Sequence, residues 1–168
     1  MAVSCDYRIM AENPKYSIGL NETQLGIVAP FWFKDTMVNT IGHRATERSL
    51  QLGLLYSTSD ALKIGIVDEL VPEEKVLNAA AATMSQWLAI PARSLMSMAM
   101  KGKCQCASSL SSTDYARQIS KSMMRKPTVD RLLTHRESDI QNFVSFVTRD
   151  SIQKSLQTYM ERLKQRKG

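Results

Sequence analysis

A single carboxylate, Glu22, lies in a mostly apolar stretch, residues 18–33, that glycines interrupt. Asn21 immediately precedes it, and aliphatic side chains lie on both sides. An ionised carboxylate removed from water is costly, so a carboxyl group there either keeps its proton or acquires hydrogen-bonding partners. A carboxyl group that exchanges its proton near neutral pH is suited to proton transfer at carbon. Glu22 is therefore the first candidate for acid–base chemistry, and a solvated turn residue is the competing interpretation.

The other residues that could do chemistry form no comparable set. The three cysteines, Cys5, Cys104 and Cys106, are an odd number without the spacing of a disulfide framework, which favours free thiols. The pair Cys104-Gln-Cys106 has no further Cys or nearby His that would complete a zinc site. We therefore expect no metal ion.

The charge of the chain allows a nucleic-acid-binding hypothesis, because the formal net charge is +6. The basic residues are scattered, however, and no motif interleaves them with aromatic residues, so we expect no nucleic-acid partner. A basic surface equally suits an anionic small molecule. No apolar run approaches the roughly 20 residues that cross a bilayer, so we expect no membrane span.

The elements that must position Glu22 follow an α/β pattern. Two predicted strands precede or adjoin the Glu22 stretch, several helices follow it, and a further strand returns, which indicates an α/β core. Two amphipathic helices are predicted near the C-terminus. Periodicity and turn residues predict strands over 2–10, 15–18 and 66–71, and helices over 30–41, 45–52, 59–63, 72–90, 130–148 and 151–164.

Residues 92–113 differ from the surrounding pattern. Residues 92–103 and 116–126 both begin with Ala-Arg and end in a Met-rich run that contains lysine, and a Ser-rich piece separates them. A partial internal duplication and a chance similarity both explain this. We interpret residues 92–113 as an insertion that is partly helical or disordered.

Six separate runs, in the same order, are similar to the enoyl-CoA hydratase/isomerase (crotonase) superfamily. Within it they resemble most the mitochondrial Δ3,Δ2-enoyl-CoA isomerases, and the similarity covers nearly the whole chain except residues 92–113. It corresponds to the later part of that family's sequence. The runs are CDYRIM at 5–10, GLNETQLG at 19–26, TIGHR at 40–44, GIVDE at 65–69, QNFVSF at 141–146 and KSLQTY at 154–159.

The resemblance implies a fold and a division of the chain. Residues 1–91 would form a partial crotonase-like ββα spiral core, and residues 92–113 would be the insertion. Residues 114–168 would form a C-terminal α-helical region that mediates oligomerisation. As in the relatives, a homotrimer or a mixed oligomer with full-length subunits is implied, with contacts from helical residues such as Phe143, Phe146 and Tyr159.

The resemblance also implies an activity. Glu22 would carry a proton between C2 and C4 of an enoyl-CoA thioester, and Asn21 would contact the acyl-CoA. Coenzyme A is part of the substrate, and no metal or redox cofactor is implied. The relatives act in β-oxidation in the mitochondrial matrix, although residues 1–6 show no basic or Arg-rich leader.

Two expectations limit this activity. In the family, the N–H donors of the oxyanion hole, most of the CoA-binding loop and the second carboxylate of a hydratase precede the region that matches this chain. We therefore expect weak activity from the chain alone. The competing interpretation is a non-catalytic interaction module that retains the oligomerising helices.

Overall fold

The computed structural model describes residues 2–89 and 112–165. In these residues, short strands and longer helices alternate and two long helices follow, which confirms the predicted α/β class with C-terminal α-helices. Three 3₁₀ turns, Ala2–Ser4, Glu22–Leu25 and Glu73–Lys75, connect them. The elements are β1 (Ile9–Ala11), β2 (Ser17–Gly19), α1 (Phe31–Ile41), α2 (His43–Leu52), β3 (Leu55–Ser57), α3 (Thr58–Ile64), β4 (Glu69–Val71), α4 (Val76–Leu88), α5 (Ser112–Val147) and α6 (Asp150–Gln165).

The strands pair in two small sheets. β1 is parallel to β4, with Ile9 opposite Glu69, and β2 is antiparallel to β3, with Ser17 opposite Ser57. Parallel strands cannot be joined by a tight hairpin and need a crossover. The crossover here is the whole segment between β1 and β4, and it contains the 3₁₀ turn that begins at Glu22.

The hydrophobic core lies between this crossover and the β1–β4 pair. Four buried side chains, Met37, Ala61, Ile66 and Val67, contact one another at its centre. Helix α3 supplies one of them and the loop after it supplies two, because Gly65 ends the helix and turns the chain inward. Half-buried apolar residues surround the cluster: Val3, Met10, Ile18, Leu20, Ile41, Leu50, Tyr56, Ile64 and Leu70.

The predicted strand over residues 2–10 is mostly wrong. Residues 2–4 form a 3₁₀ turn and β1 begins only at Ile9. Alternating apolar residues form a strand only where a neighbouring strand accepts and donates hydrogen bonds, and the N–H of Arg8 instead donates to the side chain of Asp68 at 2.8 Å. The predicted strand over 66–71 is shortened to β4, and β3 was not predicted.

The helices agree better with the prediction, except α5. We predicted a helix over 130–148, whereas α5 is continuous from Ser112 and contains Pro127. Proline removes one helical hydrogen bond. Helix α5 contacts Asp6 before the proline and α1 after it. Most of the proposed insertion, residues 92–111, lies outside the described residues, and the division at 92–113 stays a prediction. None of the helices in the described part is long and apolar enough to cross a membrane.

Candidate active site

Glu22 is the first residue of a four-residue 3₁₀ turn, Glu22–Leu25, here called the Glu22 turn. Strand β2 leads into it, and Asn21 occupies the preceding position. Gly26 ends it with φ of +74°, a conformation that residues with a Cβ seldom adopt. The N–H of Ile27 then donates to the carbonyl of Glu22 at 3.0 Å. The sequence therefore fixes both ends of the segment that presents Glu22.

The carboxylate of Glu22 is partly buried and incompletely hydrogen-bonded. Its Oε2 atom is inaccessible to solvent and has no hydrogen-bonding partner among the described residues. Most buried polar atoms of folded proteins do have a partner, because an unpaired one costs free energy. A buried carboxylate oxygen without a partner is a costly arrangement, and it marks Glu22 as the candidate for proton transfer.

A cleft of about 750 Å³ opens beside Asn21, between the Glu22 turn and α6. It is lined from the core side by Asn21, Gln24, Leu25 and Leu55. From α6 it is lined by polar, basic and apolar side chains, and none of the described residues that line it is a carboxylate. These α6 residues are Lys154, Ser155, Thr158, Tyr159, Arg162, Leu163 and Gln165.

The model of the enoyl-CoA hydratase/isomerase family matches residues 1–108. The chain belongs to the enoyl-CoA hydratase/isomerase family. Over its whole length it is 56% identical to human and to mouse mitochondrial enoyl-CoA delta isomerase 1. It spans 48% and 50% of those two proteins, so it corresponds to about half the length of these curated relatives.

Solved structures confirm the crotonase-like fold of this family member. The structure of human mitochondrial delta3-delta2-enoyl-CoA isomerase superimposes with a TM-score of 0.79 at 57% identity, over 99% of this chain and 56% of that one. A carnitinyl-CoA hydratase from Mycobacterium avium superimposes with a TM-score of 0.66 at 19% identity, over 96% of this chain and 54% of that one. The second similarity shows the fold alone.

The two predicted site residues of this family member are neighbours in the chain, and the structure places them differently. Asn21 lines the cleft, whereas Glu22 is not among the lining residues. Their proposed contacts with an acyl-CoA stay predictions. Within the described part, no three His, Cys, Asp or Glu side chains come together as a metal site would require.

The basic residues of the cleft, Lys154 and Arg162, were missed by the sequence reasoning. Lys154, Thr158 and Arg162 follow one another at intervals of four residues, which places them along one face of α6. That spacing could have predicted a shared basic face. It could not have predicted that the face lies opposite Asn21, because that depends on how α6 packs.

Proposed function

We propose that this chain is a Δ3,Δ2-enoyl-CoA isomerase chain that moves a double bond of an enoyl-CoA thioester from C3 to C2. The observation that carries the proposal is the buried Oε2 of Glu22, which has no hydrogen-bonding partner among the described residues and lies one position after Asn21, a residue that lines a basic cleft. The chain's 56% identity to proteins named enoyl-CoA delta isomerase supports it. Such a reaction would serve the β-oxidation of unsaturated fatty acids.

The proposed reaction needs one group that accepts and returns a proton. The Glu22 carboxylate removes a proton from C2, and the resulting negative charge moves to the thioester oxygen as an enolate. Glu22 then delivers the same proton to C4 while the double bond forms between C2 and C3. The substrate and product have the same atoms, so no oxidant or other reactant is consumed. Hydrogen-bond donors for the enolate are also needed, and losing one commonly costs about 10²–10³ in rate.

The cleft has properties that suit an acyl-CoA. Its volume of about 750 Å³ is that of a small-molecule site. In the proposal, Asn21 contacts the acyl-CoA. The positive charges of Lys154 and Arg162, which no carboxylate among the described lining residues opposes, attract the anionic phosphates of coenzyme A. Leu25 and Leu163 offer apolar surface to the acyl chain.

The proposal extends to location and assembly. The curated relatives are named as mitochondrial, which supports a role in the mitochondrial matrix. A homotrimer, or a mixed oligomer with full-length subunits, would cover apolar side chains that are exposed in the single chain. These include Leu77, Leu88, Met123 and Leu133, each at least 70% exposed.

Substitution of Glu22 tests the activity. We expect Glu22→Gln to lower kcat for conversion of a 3-enoyl-CoA to the conjugated 2-enoyl-CoA by about 10²–10⁴. Binding of a saturated acyl-CoA, measured by titration calorimetry, should persist because the amide has the same shape. The matched control is Glu74→Gln, an exposed glutamate in another 3₁₀ turn. Turnover that is equal in both variants would contradict the role of Glu22.

The same assay decides the second candidate, a non-catalytic interaction module, which the exposed apolar side chains of α4 and α5 favour. Under that alternative, the chain has no turnover and instead forms mixed oligomers with a full-length family member. The measured rate also tests the expectation that the chain alone is a weak catalyst.

A further inference from the structure

Two side chains of the Glu22 turn donate hydrogen bonds to the C-terminal end of α2. The hydroxyl of Thr23 donates to the carbonyl of Leu50 at 2.5 Å. The side-chain amide of Gln24 donates to the carbonyls of Leu52 at 3.3 Å and Gly53 at 2.8 Å. The last carbonyls of a helix lack partners within it, so these bonds cap α2 and attach the turn to it.

Gly53 shows how closely the turn approaches this helix end. A Cβ at position 53 would lie 2.7 Å from Cγ of Gln24 and 3.2 Å from its backbone nitrogen. Its φ of +58° is also one that glycine adopts readily. The turn therefore rests directly on the end of α2.

The Glu22 side chain has few constraints of its own. Oε2 makes no hydrogen bond within the described residues, and the Asn21 side chain makes no capping bond to the turn. The turn is only four residues long, so its internal hydrogen bonds constrain it weakly. The attachment of the turn to α2 therefore contributes to the direction in which the carboxylate points.

We propose that Thr23 and Gln24 are positioning residues that hold Glu22 in register with C2 and C4 of the substrate. The inference rests on the proposed function above. One carboxylate must reach two carbon atoms in succession, so the reaction tolerates little displacement. A misplacement of about 1 Å can cost about 100-fold in rate without any loss of a group that touches the substrate.

Isosteric substitutions separate hydrogen bonding from packing. Thr23→Val removes the hydroxyl and keeps the shape, Thr23→Ser keeps the hydroxyl, and Gln24→Met keeps the length without the amide. The controls lie on α5, where the Thr134 hydroxyl donates to the carbonyl of Asp130 at 2.8 Å and the Gln141 amide donates to the carboxylate of Glu137 at 3.2 Å. They are Thr134→Val and Gln141→Met.

Kinetics of the purified chain give the first test. We expect Thr23→Val and Gln24→Met to lower kcat by about 10- to 100-fold. In Thr23→Val, KM should change by no more than about threefold, whereas Gln24 also lines the cleft, so KM is not a criterion for Gln24→Met. Thr23→Ser should recover most of the loss, and the two controls should match the wild type. Equal kcat in all variants would overturn the proposal. So would a Thr23→Ser variant as slow as Thr23→Val, because the hydroxyl would then be irrelevant.

Amide hydrogen exchange gives a second test that needs no turnover. The N–H groups of Gly26 and Ile27 close the turn by donating to the carbonyls of Thr23 and Glu22. We expect both to exchange at least about tenfold faster in Thr23→Val and Gln24→Met, with exchange in α1 unchanged. Unchanged exchange of these two N–H groups would overturn the proposal that Thr23 and Gln24 hold the turn against α2. A wild-type chain without turnover would overturn the proposed function instead, and exchange alone would then decide whether these side chains fix the turn.

Discussion

Four apolar side chains of residues 2–89, Met37, Ala61, Ile66 and Val67, are buried against one another. In the described side chains of α5 and α6, by contrast, the only buried residue is Ile152. The first region thus gains its stability by removing apolar surface from water, at about 25 cal/mol per Å². The two long helices, α5 and α6, contact this region with little fully buried apolar surface.

Helix α5 makes several polar contacts with residues 2–89. Asp6 pairs with Lys121 at 2.6 Å and with Arg125 at 2.8 Å, and Asp35 pairs with Arg131 at 3.3 Å. Ion pairs exposed to solvent contribute only about 0–1 kcal/mol each. The core therefore determines the fold, whereas the positions of the helices depend on a few weak contacts. The candidate site spans this boundary, because α6 supplies one wall of the cleft.

The largest effect on the free energy of unfolding is expected from a substitution in the core. Met37 is 1% exposed, so Met37→Ala should lower the free energy of unfolding by about 2–5 kcal/mol, since it leaves a cavity. Urea unfolding measures this loss of stability. The control, Met160→Ala on α6, removes a side chain that is 53% exposed and should change stability by less than about 0.5 kcal/mol. Equal losses in both variants would contradict the distinction between the two regions.

An intermediate effect is expected where α6 meets the Glu22 turn. Ile152 packs on Gly26 so closely that a Cβ there would lie 2.8 Å from Cδ1 of the isoleucine. We expect Ile152→Ala to weaken the attachment of α6 by about 2 kcal/mol. Hydrogen exchange of α6 amides should then be about 30-fold faster, while exchange in α1 stays unchanged.

The Met160→Ala variant again serves as the control, since it shortens an exposed side chain of the same helix. If Ile152→Ala destabilised α1 as much as Met37→Ala does, α6 and the core would be one cooperative unit. The difference in side-chain burial between residues 2–89 and the two long helices would then not be a difference in stability.

Helices α1 to α4 and α6 could be predicted from the sequence, because their signals are local. Gly42, Gly53 and Gly65 end three successive helices, and amphipathic spacing marks α6. The bounds of the strands could not be predicted, because pairing between distant residues decides where a strand begins and ends. β1 and β4 pair across about sixty residues of chain.

The candidate site shows the same limit. The composition of residues 18–33 drew attention to Glu22, and the family resemblance assigned roles to Glu22 and Asn21. Neither indicated that Thr23 and Gln24 bond to the end of α2, since those bonds join residues 27 to 29 positions apart. Acceptors that lie on another element cannot be read from a local pattern.

The smallest effect on stability is expected from protonation of Asp6. The hydrogen bond from Lys121, with the charge of Arg125, lowers the pKa of Asp6 below its ordinary value of 3.8, although partial burial opposes this. Because the folded-state pKa is the lower one, ionised Asp6 stabilises the fold above about pH 4. This contribution is lost as the pH falls through the folded-state pKa. Its side chain is 40% exposed, so solvent screening limits the contribution to less than about 1 kcal/mol.

Urea unfolding at pH 6 and pH 3 measures this contribution by difference. On acidification, the wild-type chain should lose up to about 1 kcal/mol more than Asp6→Asn, because the variant has no carboxylate to protonate. Asp130→Asn is the control, since Asp130 pairs with Lys126 of the same helix. An acid response that stays the same in Asp6→Asn would show that other contacts hold α5, and that its attachment is less electrostatic than the Asp6 cluster indicates.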